Sequence, residues 1–271
     1  MSSIVTEQGI LHYETIGRGR PLILLHGWIN SWDVWRKAMI ALGSSNRFRI
    51  YALDFWGFGD SAKGNKSELS PSFRIDSYVE MVRQFMDTLG ILEAPIFGHS
   101  MGGTVALKFA LANPDRVRKV AIVGSPIVGS SLNPFLKLAG YGPIADIVWR
   151  FPVLLKLVMH TILAGDSKQV REMIFRDVKR TTLESFFRSI GDLRDTDLRE
   201  TLVALEMPAL GIFGVHDNIV SPRNATLLTD CVSHAQVAMM YESRHFPMSD
   251  EPDKFLTAMT NFLDDNGVKS S

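Results

Sequence analysis

Three residues set far apart along the chain, Ser100, Asp217 and His245, are of the types that together perform covalent acyl transfer. Ser100 stands in Gly98-His99-Ser100-Met101-Gly102, a Gly-x-Ser-x-Gly pattern with a further glycine at 103. The apolar run Ala94 to Phe97 before it reads as a strand and Met101 to Ala112 after it as a helix, the setting that lifts a serine hydroxyl clear of a sheet edge. Gly98 and Gly102 suit such a turn because neighbouring chain passes too close for a Cβ. The hydroxyl becomes nucleophilic once a base takes its proton, and a carboxylate behind that base fixes its tautomer and steadies the imidazolium. Asp217 lies just past the apolar run 209–213, and His245 just past the run 235–241. Loops at the carboxyl ends of parallel strands converge, so the order assigns Ser100 as nucleophile, Asp217 as orienting acid and His245 as general base.

The tetrahedral intermediate of such a reaction needs two N–H donors for its oxyanion. The sequence offers the backbone amide of Met101, at a helix start, and that of Trp28, after the turn His26-Gly27 that ends the run Leu22 to Leu25. His26 is expected to hydrogen-bond within that turn, and Gly27 to let backbone approach the site. His99 and His216 are read as non-catalytic, one as the variable residue of the serine turn, the other as a loop neighbour of Asp217. No two histidines stand at helical i, i+4 spacing and there is one cysteine in all, so no metal is expected. Gly57 and Gly59 are too sparse for a dinucleotide fingerprint, and no cofactor is expected. Asp54 is read as pinning a loop through side-chain-to-backbone bonds. Asp192, Asp195 and Asp197 are read as a solvated face with Arg194 and Arg199.

Positioning these groups takes a sheet. The continuous apolar runs Leu22 to Leu25, Phe48 to Leu53, Ala94 to Phe97, Val117 to Val123, 209–213 and 235–241 read as strands buried on both faces, as in parallel sheets. Between two of them, Ile75, Val79, Val82, Met86 and Leu89 mark one face of a helix that stops near Gly90. Alternation of this kind predicts a doubly wound α/β fold: a mostly parallel central sheet with helices on both faces. From Ile127 to Met207 the pattern is helical only. The expected organisation is therefore a core of residues 1–126 and 208–271 with a helical cap inserted at 127–207. The cap's apolar residues, Phe135, Leu138, Ile144, Ile147 and Leu157 among them, are expected mostly to pack. With almost no paired charge over the serine, the cap favours an uncharged, apolar acyl or aromatic substrate.

Composition excludes several classes. Twenty-nine basic residues balance twenty-nine acidic ones, so the footprint of a phosphate-neutralising surface is missing and no nucleic-acid partner is expected. The most apolar stretch, Phe151 to Ala164, falls short of the roughly 20 residues that cross a bilayer, so no integral membrane segment is expected. The first residues lack a basic start followed by an apolar run, which argues against secretion. The single Cys231 suits a reducing compartment, and a cytoplasmic location is expected. Oligomeric state is left open.

Taken with His26-Gly27-Trp28 and Asp54-Phe55-Trp56-Gly57-Phe58-Gly59-Asp60-Ser61, the serine turn, Asp217 and His245 give a pattern that resembles the α/β-hydrolase superfamily over nearly the whole chain, in the group with a helical cap. The resemblance implies a capped serine carboxylesterase-like enzyme with an acyl-serine intermediate. It disfavours the epoxide hydrolases and haloalkane dehalogenases, whose nucleophile is aspartate, and the proline iminopeptidases, whose His-Gly-Gly-Pro-Gly pattern is missing. A carbon–carbon bond hydrolase of the β-diketone type, using the same triad, and a non-turnover receptor for a small ligand are the alternatives.

Overall fold

The computed structural model describes residues 2–63, 72–139, 141–151, 153, 157, 159–161 and 163–265. The chain opens with an antiparallel pair, β1 (Ser2–Thr6) and β2 (Gly9–Gly17), before β3 (Arg20–Leu25), helix α1 (Arg36–Gly43) and β4 (Phe48–Leu53). Helix α2 (Ile75–Thr88), β5 (Ala94–His99), α3 (Met101–Ala112) and β6 (Val117–Val123) follow. Helices α4 (Pro134–Ala139), α5 (Gly142–Arg150), α6 (Lys168–Val178), α7 (Leu183–Asp195) and α8 (Arg199–Leu202) separate β6 from β7 (Ala209–Gly214). The chain finishes with α9 (Asn224–Cys231), β8 (Gln236–Met240), the short α10 (Pro247–Asp250) and α11 (Pro252–Asp264).

The eight strands lie in the order β1-β2-β4-β3-β5-β6-β7-β8. From β4 to β8 every pairing is parallel; the β1–β2 and β2–β4 pairings are antiparallel. The parallel strands are the continuous apolar runs, and β5 and β7 are buried at every residue. Strand β2 was not signalled by such a run. Its residues mix polar and apolar types, and all but Leu11 and His12 are at least partly exposed, as an edge-side antiparallel strand allows.

Chain order and sheet order part company at β3, which sits between β4 and β5, so the ends of β3 and β5 emerge side by side with Leu25 opposite Gly98. The serine turn and the His26-Gly27 turn are thereby neighbours. Strands β6, β7 and β8 bring their own carboxyl ends to the same rim, and the loops after β7 and β8 carry Asp217 and His245.

Candidate active site

Ser100 adopts φ +52° and ψ −121°, a conformation that non-glycine residues rarely hold. The turn is over-determined: Ser100 N–H donates to the Val123 carbonyl at 2.8 Å, and the amides of Gly103 and Thr104 donate to the Ser100 carbonyl. A Cβ on Gly98 would come within 2.2 Å of the Gly102 carbonyl oxygen, so the strand and helix arms of this turn admit no side chain between them.

His245 and Asp217 are paired. The Nδ1–H of His245 donates to Asp217 Oδ2 at 2.7 Å, and Asp217 Oδ1 accepts the amides of Ile219 and Val220 at 2.8 and 2.9 Å. The carboxylate is thus fixed by its own loop, and Nε2 is the ring nitrogen left for chemistry. Ser100 and His245 line one cavity. No hydrogen bond joins the hydroxyl to the ring among the described residues, an arrangement common in ligand-free sites, where such bonds tighten on substrate binding.

The amides of Trp28 and Met101 donate to no other group among the described residues. Met101 begins α3, whose first N–H groups have no intrahelical acceptor, and the helix end adds its dipole. His26 braces the Trp28 turn. Its Nδ1–H donates to the Gly27 carbonyl at 2.7 Å while Nε2 accepts the Phe55 amide at 2.9 Å, so both nitrogens are committed in the neutral ring. Burial lowers its pKa to about 4, consistent with that state. The Trp28 indole N–H donates to the Phe186 carbonyl of α7 at 2.9 Å, tying the turn to the helical segment.

Several groups behave in ways the sequence did not signal. His99 is more than a variable turn residue: its Nε2–H donates to the His245 carbonyl at 2.9 Å, so the serine turn holds the base's backbone directly. Burial drives the His99 pKa well below its usual value, and the ring stays neutral. Arg244 donates its amide to Asp250 at 3.0 Å, and its guanidinium lies against Gly165, where a Cβ would stand 2.5 Å from Nη2. Next to that contact Asp166 is 3 % exposed, with neither carboxylate oxygen bonded. Burial, then the charge of Asp250, raises its pKa to about 6 against the opposing pull of His245 and Arg244.

The cavity is narrow, with about 40 Å³ open to the centre of a water molecule. Its walls are apolar: Trp28, Ile29, Ile219 and Phe246 from one side, Leu136, Met159, Leu163 and Ile190 from the helical segment. Two expectations about that segment change. It does carry paired charge, in Arg176 with Asp177, Arg188 with Glu184, and Arg194 with Asp195, but these pairs lie outside the cavity lining. Of the apolar residues expected mostly to pack there, Leu136 and Met159 are buried, whereas Phe135, Leu138, Ile144, Ile147 and Leu157 are exposed; Leu154, Leu155 and Val158 lie outside the described residues. Asp192 also departs from the solvated face: it accepts the Ile75 amide at 2.7 Å and binds Arg74. Asp195 and Asp197 pair with exposed arginines as expected.

A second imidazole–carboxylate pair stands behind the site. His12 and Asp54 meet at 2.8 Å, and with Asp60 their ligand atoms lie within 4.8 Å of one another. Asp54 already accepts the amides of Trp32 and Asp60 at 2.7 and 2.8 Å as well as His12, which is the loop-pinning role read from the sequence.

The family model of the alpha/beta hydrolase fold matches residues 20–154, the stretch that holds β3 to β6 and the serine turn. This chain is an α/β hydrolase. A pimeloyl-[acyl-carrier protein] methyl ester esterase of Vibrio parahaemolyticus is 28 % identical over 267 residues, covering 94 % of this chain and 98 % of that protein. Among solved structures, an enol-lactonase from Burkholderia xenovorans superposes on the hydrolase with a TM-score of 0.83 at 22 % identity, over 97 % of this chain and 99 % of that one. An esterase from Exiguobacterium antarcticum gives 0.79 at 20 %, over 94 % and 96 %. At those identities the structural likeness is one of fold.

Proposed function

We propose that this α/β hydrolase cleaves carboxylic ester bonds through Ser100, His245 and Asp217, with residues 127–207 acting as a cap over the substrate. The observation that carries the reading is the His245–Asp217 pair, fixed at 2.7 Å beside the same cavity as a serine held at φ +52°. His245 Nε2 takes the Ser100 proton as the hydroxyl oxygen attacks the ester carbon. The Trp28 and Met101 amides receive the negative charge on the carbonyl oxygen. Collapse of the intermediate expels the alcohol, which takes its proton from His245, and leaves an acyl-serine. Water, deprotonated by the same ring, then releases the acid.

The apolar lining and the small volume favour a short, uncharged acyl group, since a charge placed there would lose its hydration without a partner. The methyl ester named for the Vibrio relative falls in the same class on the alcohol side, so small alkyl esters are the substrates we assign. The single free thiol, half-buried Cys231, suits work in a reducing compartment such as the cytoplasm.

The test is hydrolysis of 4-nitrophenyl and methyl esters from acetate to decanoate, together with labelling by a fluorophosphonate. Turnover concentrated on short acyl chains and labelling lost in Ser100→Ala are the expected results. Undiminished turnover in purified Ser100→Ala overturns the assignment.

A further inference from the structure

Among the described residues, the cavity wall holds one polar side chain beyond Ser100 and His245: Asn30. Asn30 is 2 % exposed, and its Nδ2 is buried with no hydrogen-bond partner. The local backbone is shaped to put it there. Ile29 takes φ +60°, a left-handed conformation that strains a β-branched residue, and the Asn30 amide closes the turn onto the Gly27 carbonyl at 3.2 Å. A buried donor left unpaired on a residue that lines an apolar chamber is unsatisfied until an acceptor reaches it.

We propose that Asn30 is a specificity-determining residue that selects acyl chains carrying an uncharged acceptor oxygen, such as a keto or ether group a few bonds from the scissile carbonyl. The inference rests on the esterase reading and names the substrate class within it. The acyl part is the relevant half because it stays tethered to Ser100 through both chemical steps, whereas the alcohol leaves after the first. A ketone or ether satisfies the amide without bringing a charge into the apolar walls. A plain hydrocarbon chain of the same length strips water from the donor and gives nothing back. Sites built to bond a substrate polar group reject the analogue that lacks it far more strongly than apolar pockets reject an extra methylene.

The experiment compares 4-nitrophenyl 4-oxohexanoate and 5-oxohexanoate with 4-nitrophenyl hexanoate, each kcat/KM divided by the hydroxide-catalysed rate of the same ester. Wild-type enzyme is expected to prefer one oxo ester at least tenfold, and Asn30→Leu to lose that preference while still hydrolysing hexanoate. Because the readout is a ratio within one preparation, a partly unfolded variant does not distort it, and the wild-type ratio stands even if Asn30→Leu does not fold. Wild-type ratios within twofold of unity for both oxo esters, as a water resting on the amide would give, overturn the proposal; so does an unchanged preference in Asn30→Leu, which places the selection elsewhere. Failure of the underlying reading looks different: Ser100→Ala would then hydrolyse all three esters like wild type.

Discussion

Two imidazole–carboxylate pairs of almost equal length occupy this hydrolase, and they do opposite things. His245–Asp217 is 2.7 Å and His12–Asp54 is 2.8 Å, and each has a serine nearby: Ser100 for the first, Ser61 for the second. Ser61 is consumed by structure. It accepts the His12 amide at 2.9 Å and donates to the Asp54 carbonyl at 2.6 Å. Asp54 likewise spends its oxygens on two loop amides, and the second nitrogen of His12 is buried without a hydrogen bond, 3.5 Å from Glu14. The front pair keeps one ring nitrogen and one hydroxyl uncommitted beside an open volume. On the proposed reading, what separates a reactive triad from a loop clamp is which lone pairs and protons remain unspent, not the distance between imidazole and carboxylate.

The largest expected effect follows from breaking the serines one at a time. Ser100→Ala lowers kcat by about 10⁴-fold or more with the fold kept. Ser61→Ala leaves kcat within about threefold but costs on the order of 1–2 kcal/mol of stability, read by urea unfolding, because two buried hydrogen bonds go. The carboxylates come next. Asp217→Asn lowers kcat about 10³- to 10⁴-fold per site counted by fluorophosphonate titration. Asp54→Asn shows instead a loss of about 2–4 kcal/mol in unfolding, with kcat per titrated site near wild type.

Acidity sharpens the comparison further. Burial opposes the charged form of Asp54, yet His12 and the two amides leave its pKa lowered; that contribution is present above the unfolded value near 3.8 and fades as pH falls through the folded one. Burial likewise opposes charge on His12, but Asp54, Asp60 and Glu14 leave it raised, so its contribution is full below 6.5 and fades as pH climbs through the folded value. The stability gap between wild type and Asp54→Asn should be widest between about pH 4 and 6.5 and shrink on both sides, as thermal unfolding across pH will show. The smallest effect belongs to Asp166. Its raised pKa, about 6, means the fold favours the neutral carboxyl and loses stability as pH rises through that value. Asp166→Asn should gain about 1 kcal/mol at pH 8 and nearly nothing at pH 4.5.

Much of this was legible beforehand because the central parallel strands bury most of both faces and so appear as largely apolar runs, broken only by residues such as Arg49, Arg118 and Lys119, and because the serine turn needs glycines at fixed offsets. The proposed acid and base were read by the same logic, each directly past a strand. The roles of Arg244 and Asp166 were not legible, since Arg244 meets the Gly165 backbone only after the helical segment folds back over the base's loop. The His99 bond to His245 spans 146 residues and depends on two loops meeting at one rim, which no local pattern encodes. Strand β2 escaped notice for a different reason: its two buried residues, Leu11 and His12, are adjacent and so lie on opposite faces, and the polar and apolar types mixed around them form no apolar run.

The backbone of Ser100 has a further consequence. A residue without a side chain would occupy φ +52° with less strain, so Ser100→Gly is expected to unfold at a higher temperature than Ser100→Ala, reversing the order that glycine and alanine show at ordinary positions. Inactive scaffolds built on this chain, for display or for trapping ligands, would therefore do better to start from the glycine form.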